Sequence, residues 1–185
     1  PPLKDPMVQA YAQNLIDRLG KASDMPDLKF TVQVIDADVL NAFALPGGKI
    51  AVYTGIFPVA KTEAGLAAVM GHEVVHALAR HGGERMSQNT LAQTTLQAIG
   101  IALGVSGANP VVSQGAMAAL GVGAQVGVLL PFSRKHESEA DYVGVLLAAD
   151  AGYDPRESIQ LWTRMGELSG GKSASEFMST HPSHE

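Results

Sequence analysis

The chain has 185 residues, a formal net charge of −5, no cysteine, and 46% hydrophobic against 17% charged residues. That length and balance predict one domain with a real core and exclude a disordered chain. Scattered basic residues with no basic stripe exclude nucleic acid as a partner, and the lack of cysteine excludes a disulfide scaffold and a thiolate metal site.

The first residues carry no basic-then-apolar signal segment, and the Pro-Pro start reads as a processed end, so any targeting segment or lipid anchor would lie upstream. Residues 6–20 place Val8, Tyr11, Leu15, Ile16 and Leu19 on one side of a helix that Gly20 stops. Residues 28–36 (LKFTVQVID) alternate apolar and polar, as a half-buried strand does. Residues 41–57 (NAFALPGGKIAVYTGIF) predict two short strands around Pro46-Gly47-Gly48. A helix follows, with Thr62 as N-cap and the Gly82-Gly83 pair interrupting or ending it.

Residues 86–133 contain no Asp, Glu, Lys or Arg. Within them, residues 115–132 are about long enough to span a bilayer. They are dominated by Ala and Gly, however, and carry Gln125, while residues 91–105 hold several polar side chains. With a mean hydropathy of only +0.10, the expectation is two close-packed helices in a soluble protein. The stretch is then an uncharged helical insertion inside a single domain. Residues 133–155 predict a helix ended by Gly152 and Pro155, residues 155–168 another, and the tail reads as loop.

Chemistry concentrates in MGHEVVHALARHG (70–82). His72 and His76 are four apart, so on a helix they lie about 40° apart and one turn along, and both imidazoles can reach one ion. Glu73 projects beside them, placed to take a proton from an activated water. A catalytic zinc site needs a third protein ligand and an open position. His81 is the nearest candidate, but nine residues from His72 on a continuing helix puts it on the opposite face. It reads as a helix C-terminal residue. Glu137 and Asp141, four apart on a later helix, offer one ligating carboxylate and one that accepts the N–H of a ligating histidine. Glu137 is the favoured ligand and Glu139 the fallback. His136 points about 100° away and reads as structural or exposed. From spacing alone His181 reads as a tail residue.

With HExxH and ExxxD both present, the chain resembles the HtpX and CAAX-prenyl-protease family of zinc metallopeptidases. It is most similar to the soluble, BepA-type periplasmic members. The similarity runs through NAFALPGGKIAVYTGIF, AAVMGHEVVHALARHGGERMS, SRKHESEADYVGVLLAADAGYDP and STHP. The resemblance implies an α+β, mainly helical gluzincin domain with a small sheet next to the active-site helix. It implies one Zn²⁺ per chain on His72, His76 and Glu137, with Glu73 as general base and Asp141 supporting a zinc histidine. It also raises His181, which in such proteins lies near the zinc as a fourth ligand in a latent state or as a catalytic aid. The location implied is the bacterial periplasm or cell envelope, with a further C-terminal region beyond Glu185.

The expected activity is hydrolysis of peptide bonds in unfolded or misfolded envelope proteins. An extended polypeptide would pair along Asn41, Ala42, Phe43, Ala44 and Leu45. The alternative is a latent-site protein acting mainly as a chaperone or assembly factor. A purely structural metal site is disfavoured, since it has no use for Glu73.

Overall fold

The computed structural model describes residues 1–107, 109–168 and 181, and the chain divides into two compact units, residues 1–82 with 136–185, and residues 83–135. The architecture is α+β: mainly helical, with one small sheet.

In the larger unit the sheet has strand order β1-β3-β2. β1 (Thr31–Ile35) runs parallel to β3 (Lys49–Tyr53), with Thr31 opposite Lys49. β2 (Ala42–Leu45) runs antiparallel to β3, with Ala42 opposite Val52. Gly47 and Gly48 both take positive φ in the β2–β3 turn. A Cβ on Gly48 would meet the Lys29 carbonyl at 2.8 Å, so a side chain is excluded there.

The two edges of this sheet are finished differently. Helix α1 (Pro6–Ala22), capped by Asp5, lies along the outer edge of β1. Gln9 donates to the Val32 carbonyl at 2.6 Å and accepts from the Val34 amide at 3.0 Å. Gln13, one turn on, donates to the Phe30 carbonyl at 3.0 Å and accepts from the Val32 amide at 3.1 Å. Two side-chain amides thus stand in for a neighbouring strand, which closes that edge to pairing. Gly20 does not stop α1 as expected. It is buried, and a Cβ there would meet the Phe30 ring at 2.9 Å, so its role is close packing within a helix that continues to Ala22.

Helix α3 (Glu63–Leu78) begins where expected, with the Thr62 hydroxyl accepting from the Gly65 amide at 3.0 Å. Every residue from Gly65 through His76 is buried. Its neighbours include α1, β2, the short helix α2 (Phe57–Ala60) and α7 (Arg156–Glu167). A helix covered all round must satisfy any polar group it carries internally. The helix end departs from expectation. α3 stops at Leu78, Arg80 takes φ +57°, and α4 (His81–Val105) starts at once, so Gly82 and Gly83 lie in the first turn of a new helix.

In the smaller unit α4 faces α5 (Pro110–Ala124), which continues through a π turn (Gln125–Leu129) into α6 (Leu130–Asp150). Pro131 has no amide to donate and its ring crowds the preceding turn, which accounts for the wider turn just ahead of it. The expected close packing is not found. No residue of α5 is buried, and Val111, Val112 and Val122 stand open. The two helices face each other across an apolar groove lined by Leu91, Leu96 and Ile99 on one side and Leu120, Gly123 and Ala124 on the other. Two helices alone cover at most one stripe of each other. By length and composition the continuous helix Pro110–Asp150 is one that could cross a membrane.

Candidate metal centre

The site forms where α3 and α6 cross, and two glycines allow the crossing. A Cβ on Gly144 would meet the His72 amide nitrogen at 2.9 Å, and one on Gly71 would meet the Gly144 carbonyl at 3.0 Å. Bare backbone on both helices brings the acidic turn of α6 against the histidines of α3.

Four buried side chains then point donor atoms at one another: His72, His76, Glu137 and His181. His72 Nε2 lies 2.9 Å from His76 Nε2 and 3.2 Å from both Glu137 Oε2 and His181 Nδ1. Glu137 Oε2 is 3.4 Å from His76 Nε2 and 3.0 Å from His181 Nδ1. These separations are the edges of a compact four-cornered cage. A tetrahedral site with metal–ligand bonds of about 2.0–2.1 Å has donor–donor edges of about 3.3–3.4 Å. The arrangement therefore fits a small divalent cation, slightly contracted. Facing lone pairs at such distances are costly unless a proton or a cation sits between them.

The outer nitrogens are held as well. His72 Nδ1 is 2.9 Å from Asp141 Oδ1, and the Trp162 ring of α7 stands edge-on to the His72 ring at 5.9 Å. His76 Nδ1 is 2.9 Å from His81 Nδ1. His181 Nε2 is 3.2 Å from the Ala42 carbonyl on β2 and 3.5 Å from Glu73 Oε1. Glu73 is 1% exposed, and neither of its carboxylate oxygens has a hydrogen-bond partner among the described residues. A buried carboxylate in that state is poised for a ligand.

The field in the pocket favours positive charge. Burial alone would push His72 down, but the hydrogen-bonded Asp141 and Glu137 and the nearby Glu73 hold it up at about 10. Burial likewise opposes ionisation of Glu137, yet its bonds from His181, His72 and His76 keep it well below the usual carboxylate range. His181 is raised against its own burial by Glu137 and Glu73. His81 is pushed down to about 4 by burial and by the His136 and His76 rings.

The structure brings His72, His76, Glu137, Asp141, Glu73 and His181 together. Glu139 is outside the cage, with its carboxylate half exposed and 3.5 Å from His81 Nε2. His136, read as structural or exposed, is buried and stacked on His81 at 4.1 Å. His81 is no helix C-terminal residue. It opens α4 and turns back toward His76, because the left-handed Arg80 breaks the continuous helix that placed it on the far face. The only sequence signal for this was the glycine pair after it. Asn41 and Ala42 are buried, Phe43 and Ala44 are half-buried, and Leu45 is exposed. The tail around His181 lies outside the described residues.

The same chain that builds this cage on HExxH and ExxxD helices has relatives among known proteins. The family model described as Peptidase family M48 matches residues 4–185. The chain belongs to peptidase family M48. It is 41% identical over 175 residues to the mitochondrial metalloendopeptidase OMA1 of Schizosaccharomyces pombe, covering 94% of this chain and 49% of that protein. It is 41% identical to the Arabidopsis thaliana protein of that name, covering 98% of this chain and 35% of that one. It is 32% identical to a putative beta-barrel assembly-enhancing protease of Vibrio cholerae, covering 98% and 38%. The chain thus spans half or less of the length of these relatives.

Proposed function

We propose that this chain is a zinc-dependent endopeptidase whose His72, His76 and Glu137 hold the ion and whose Glu73 is the general base. The observation that carries the reading is the four-donor cage next to the buried Glu73 carboxylate, which makes no hydrogen bond among the described residues. Two imidazole nitrogens and one carboxylate oxygen, from His72, His76 and Glu137, suit zinc among the common divalent ions. When bound, the ion polarises a scissile carbonyl and acidifies a water. Glu73 takes the proton as the water oxygen attacks the carbonyl carbon, then hands it to the amide nitrogen as the C–N bond breaks. Asp141 fixes the His72 ring so that Nε2 faces the ion.

The substrate we infer is an extended polypeptide added to the free edge of the sheet. Gln9 and Gln13 close the β1 edge, which leaves β2. The Asn41 carbonyl pairs inward with the Tyr53 amide, so alternation turns the backbone of Ala42 and Ala44 outward. Backbone pairing there favours unfolded chains over a tight side-chain motif. The location we propose is the bacterial periplasm or envelope, supported by relatives named for β-barrel assembly. The mitochondrial names among the relatives make cell fractionation the deciding measurement.

One observation favours the latent-site alternative. His181 both supplies a fourth cage donor and bonds the outward carbonyl of Ala42. In that position it fills the open metal position and occupies the first pairing group of the substrate edge. A chain held so would act as a chaperone or assembly factor until His181 moves.

The test is degradation of casein by the zinc-loaded chain, beside Glu73→Gln and a chelated sample. Cleavage by the intact, loaded chain alone supports the endopeptidase, with Glu73→Gln slower by about 10²–10⁴-fold and zinc retained. Normal cleavage by Glu73→Gln overturns the mechanism. No cleavage with zinc bound, relieved by His181→Ala, supports the latent reading.

A further inference from the structure

We propose that His81 is a positioning residue for the metal ligand His76, holding its ring from outside as Asp141 holds that of His72. The proposal rests on the metal reading above.

Proton placement decides the role of His81. For His76 Nε2 to offer a lone pair to the cage, the ring proton must sit on Nδ1. That N–H needs a buried acceptor, and His81 Nδ1 is there at 2.9 Å. His81 then carries its own proton on Nε2, which faces Glu139 Oε2 at 3.5 Å. The order Glu139, His81, His76, cage leaves every ring nitrogen with a single consistent role. His81 itself is fixed by stacking on His136, with centroids 4.1 Å apart and planes 12° from parallel. It is 2% exposed, so His81 and not bulk solvent faces the His76 proton.

The two ligating histidines are therefore supported by different chemistry. His72 donates to a carboxylate carried on α6, and His76 donates to an imidazole at the start of α4. The sharp turn at Ala79–Arg80, with Arg80 at φ +57°, leaves this ring against His76. A plain loop-filling histidine would not need its Nδ1 aimed at the outer nitrogen of a ligand.

Two substitutions separate positioning from packing. His81→Phe keeps a flat ring against His136 but removes the acceptor. His81→Asn keeps an acceptor oxygen near the Nδ1 position but gives up the ring. The measurement is zinc affinity, by competition with a chromophoric chelator, alongside the thermal midpoint of each metal-free chain. We expect His81→Phe to lose about 10–100-fold in affinity with little change in midpoint, and His81→Asn to retain most of it. Affinity unchanged in His81→Phe overturns the proposal, as does an equal loss in both variants. If the parent chain binds no zinc, the metal reading itself fails. A binding parent with an indifferent His81→Phe sinks only the role of His81.

Discussion

Glycines in two parts of this chain meet opposite surroundings. At the α3–α6 crossing, Gly71 and Gly144 sit where another backbone lies within about 3 Å, and the helix carrying Gly71 is buried on every side. In α5, a Cβ on Gly115, Gly121 or Gly123 would meet nothing within 4 Å, and no residue is buried. Small residues permit close approach but do not cause it. The approach is caused by what lies on the other side: the sheet, α1 and α7 around α3, against the facing helix α4 for α5 among the described residues of its unit. The helix pair that carries the ligating side chains therefore forms the tight core of the site, and α5 with the uncharged length of α4 stays open.

The largest expected test of this contrast is a pair of leucines. Leu161 on α7 is fully buried in the core of the larger unit, and Leu120 on α5 is 43% exposed. Truncating Leu161 to Ala leaves a cavity and is expected to cost about 2–5 kcal/mol. Truncating Leu120 to Ala is expected to change stability by under about 0.5 kcal/mol. Denaturant unfolding of both variants reads the difference, and comparable losses would mean that α5 is covered in solution.

Metal removal sharpens the comparison from the other side. The cage ties α3 to α6 in the larger unit, so an ion that binds only the folded cage stabilises that unit by mass action. At a hundredfold excess over its dissociation constant the gain is about 2.7 kcal/mol. A chelator should therefore lower the unfolding midpoint reported by Trp162, which sits against His72. A midpoint indifferent to chelation would argue that no ion occupies the cage.

Much of the site was legible in the sequence because helical spacing is local geometry. His72, His76, Glu137 and Asp141 follow from four-residue repeats on two helices, and Thr62 from capping chemistry. His81 was misplaced because one left-handed residue, Arg80, defeats any extrapolation of a helix. The closed β1 edge was invisible for another reason. Gln9 and Gln13 look like ordinary solvent-facing residues of an amphipathic helix until β1 lies beside them. The exposure of α5 was misread because composition reports what a helix can pack against, not whether a partner is there.

The smallest predicted effect is the most direct test of that last point, because it differs in sign between the two regions. Alanine is intrinsically better than glycine in a helix by about 0.8–1.0 kcal/mol. At Gly121 nothing opposes that gain, so Gly121→Ala should stabilise α5 by up to about 1 kcal/mol. At Gly144 the new methyl would meet the His72 amide nitrogen at 2.9 Å and Cα at 3.1 Å, and backbone cannot rotate away as a side chain can. Overpacking of this kind costs about 1–3 kcal/mol, so Gly144→Ala should be destabilising or at best neutral. It should also weaken metal binding, since separating α6 from α3 moves Glu137 and Asp141 away from the histidines together. Thermal unfolding and zinc titration of the two variants read both effects. A stabilised Gly144→Ala with normal zinc affinity would show that the crossing has slack, and that the cage is set by the side chains rather than by the approach of the two backbones.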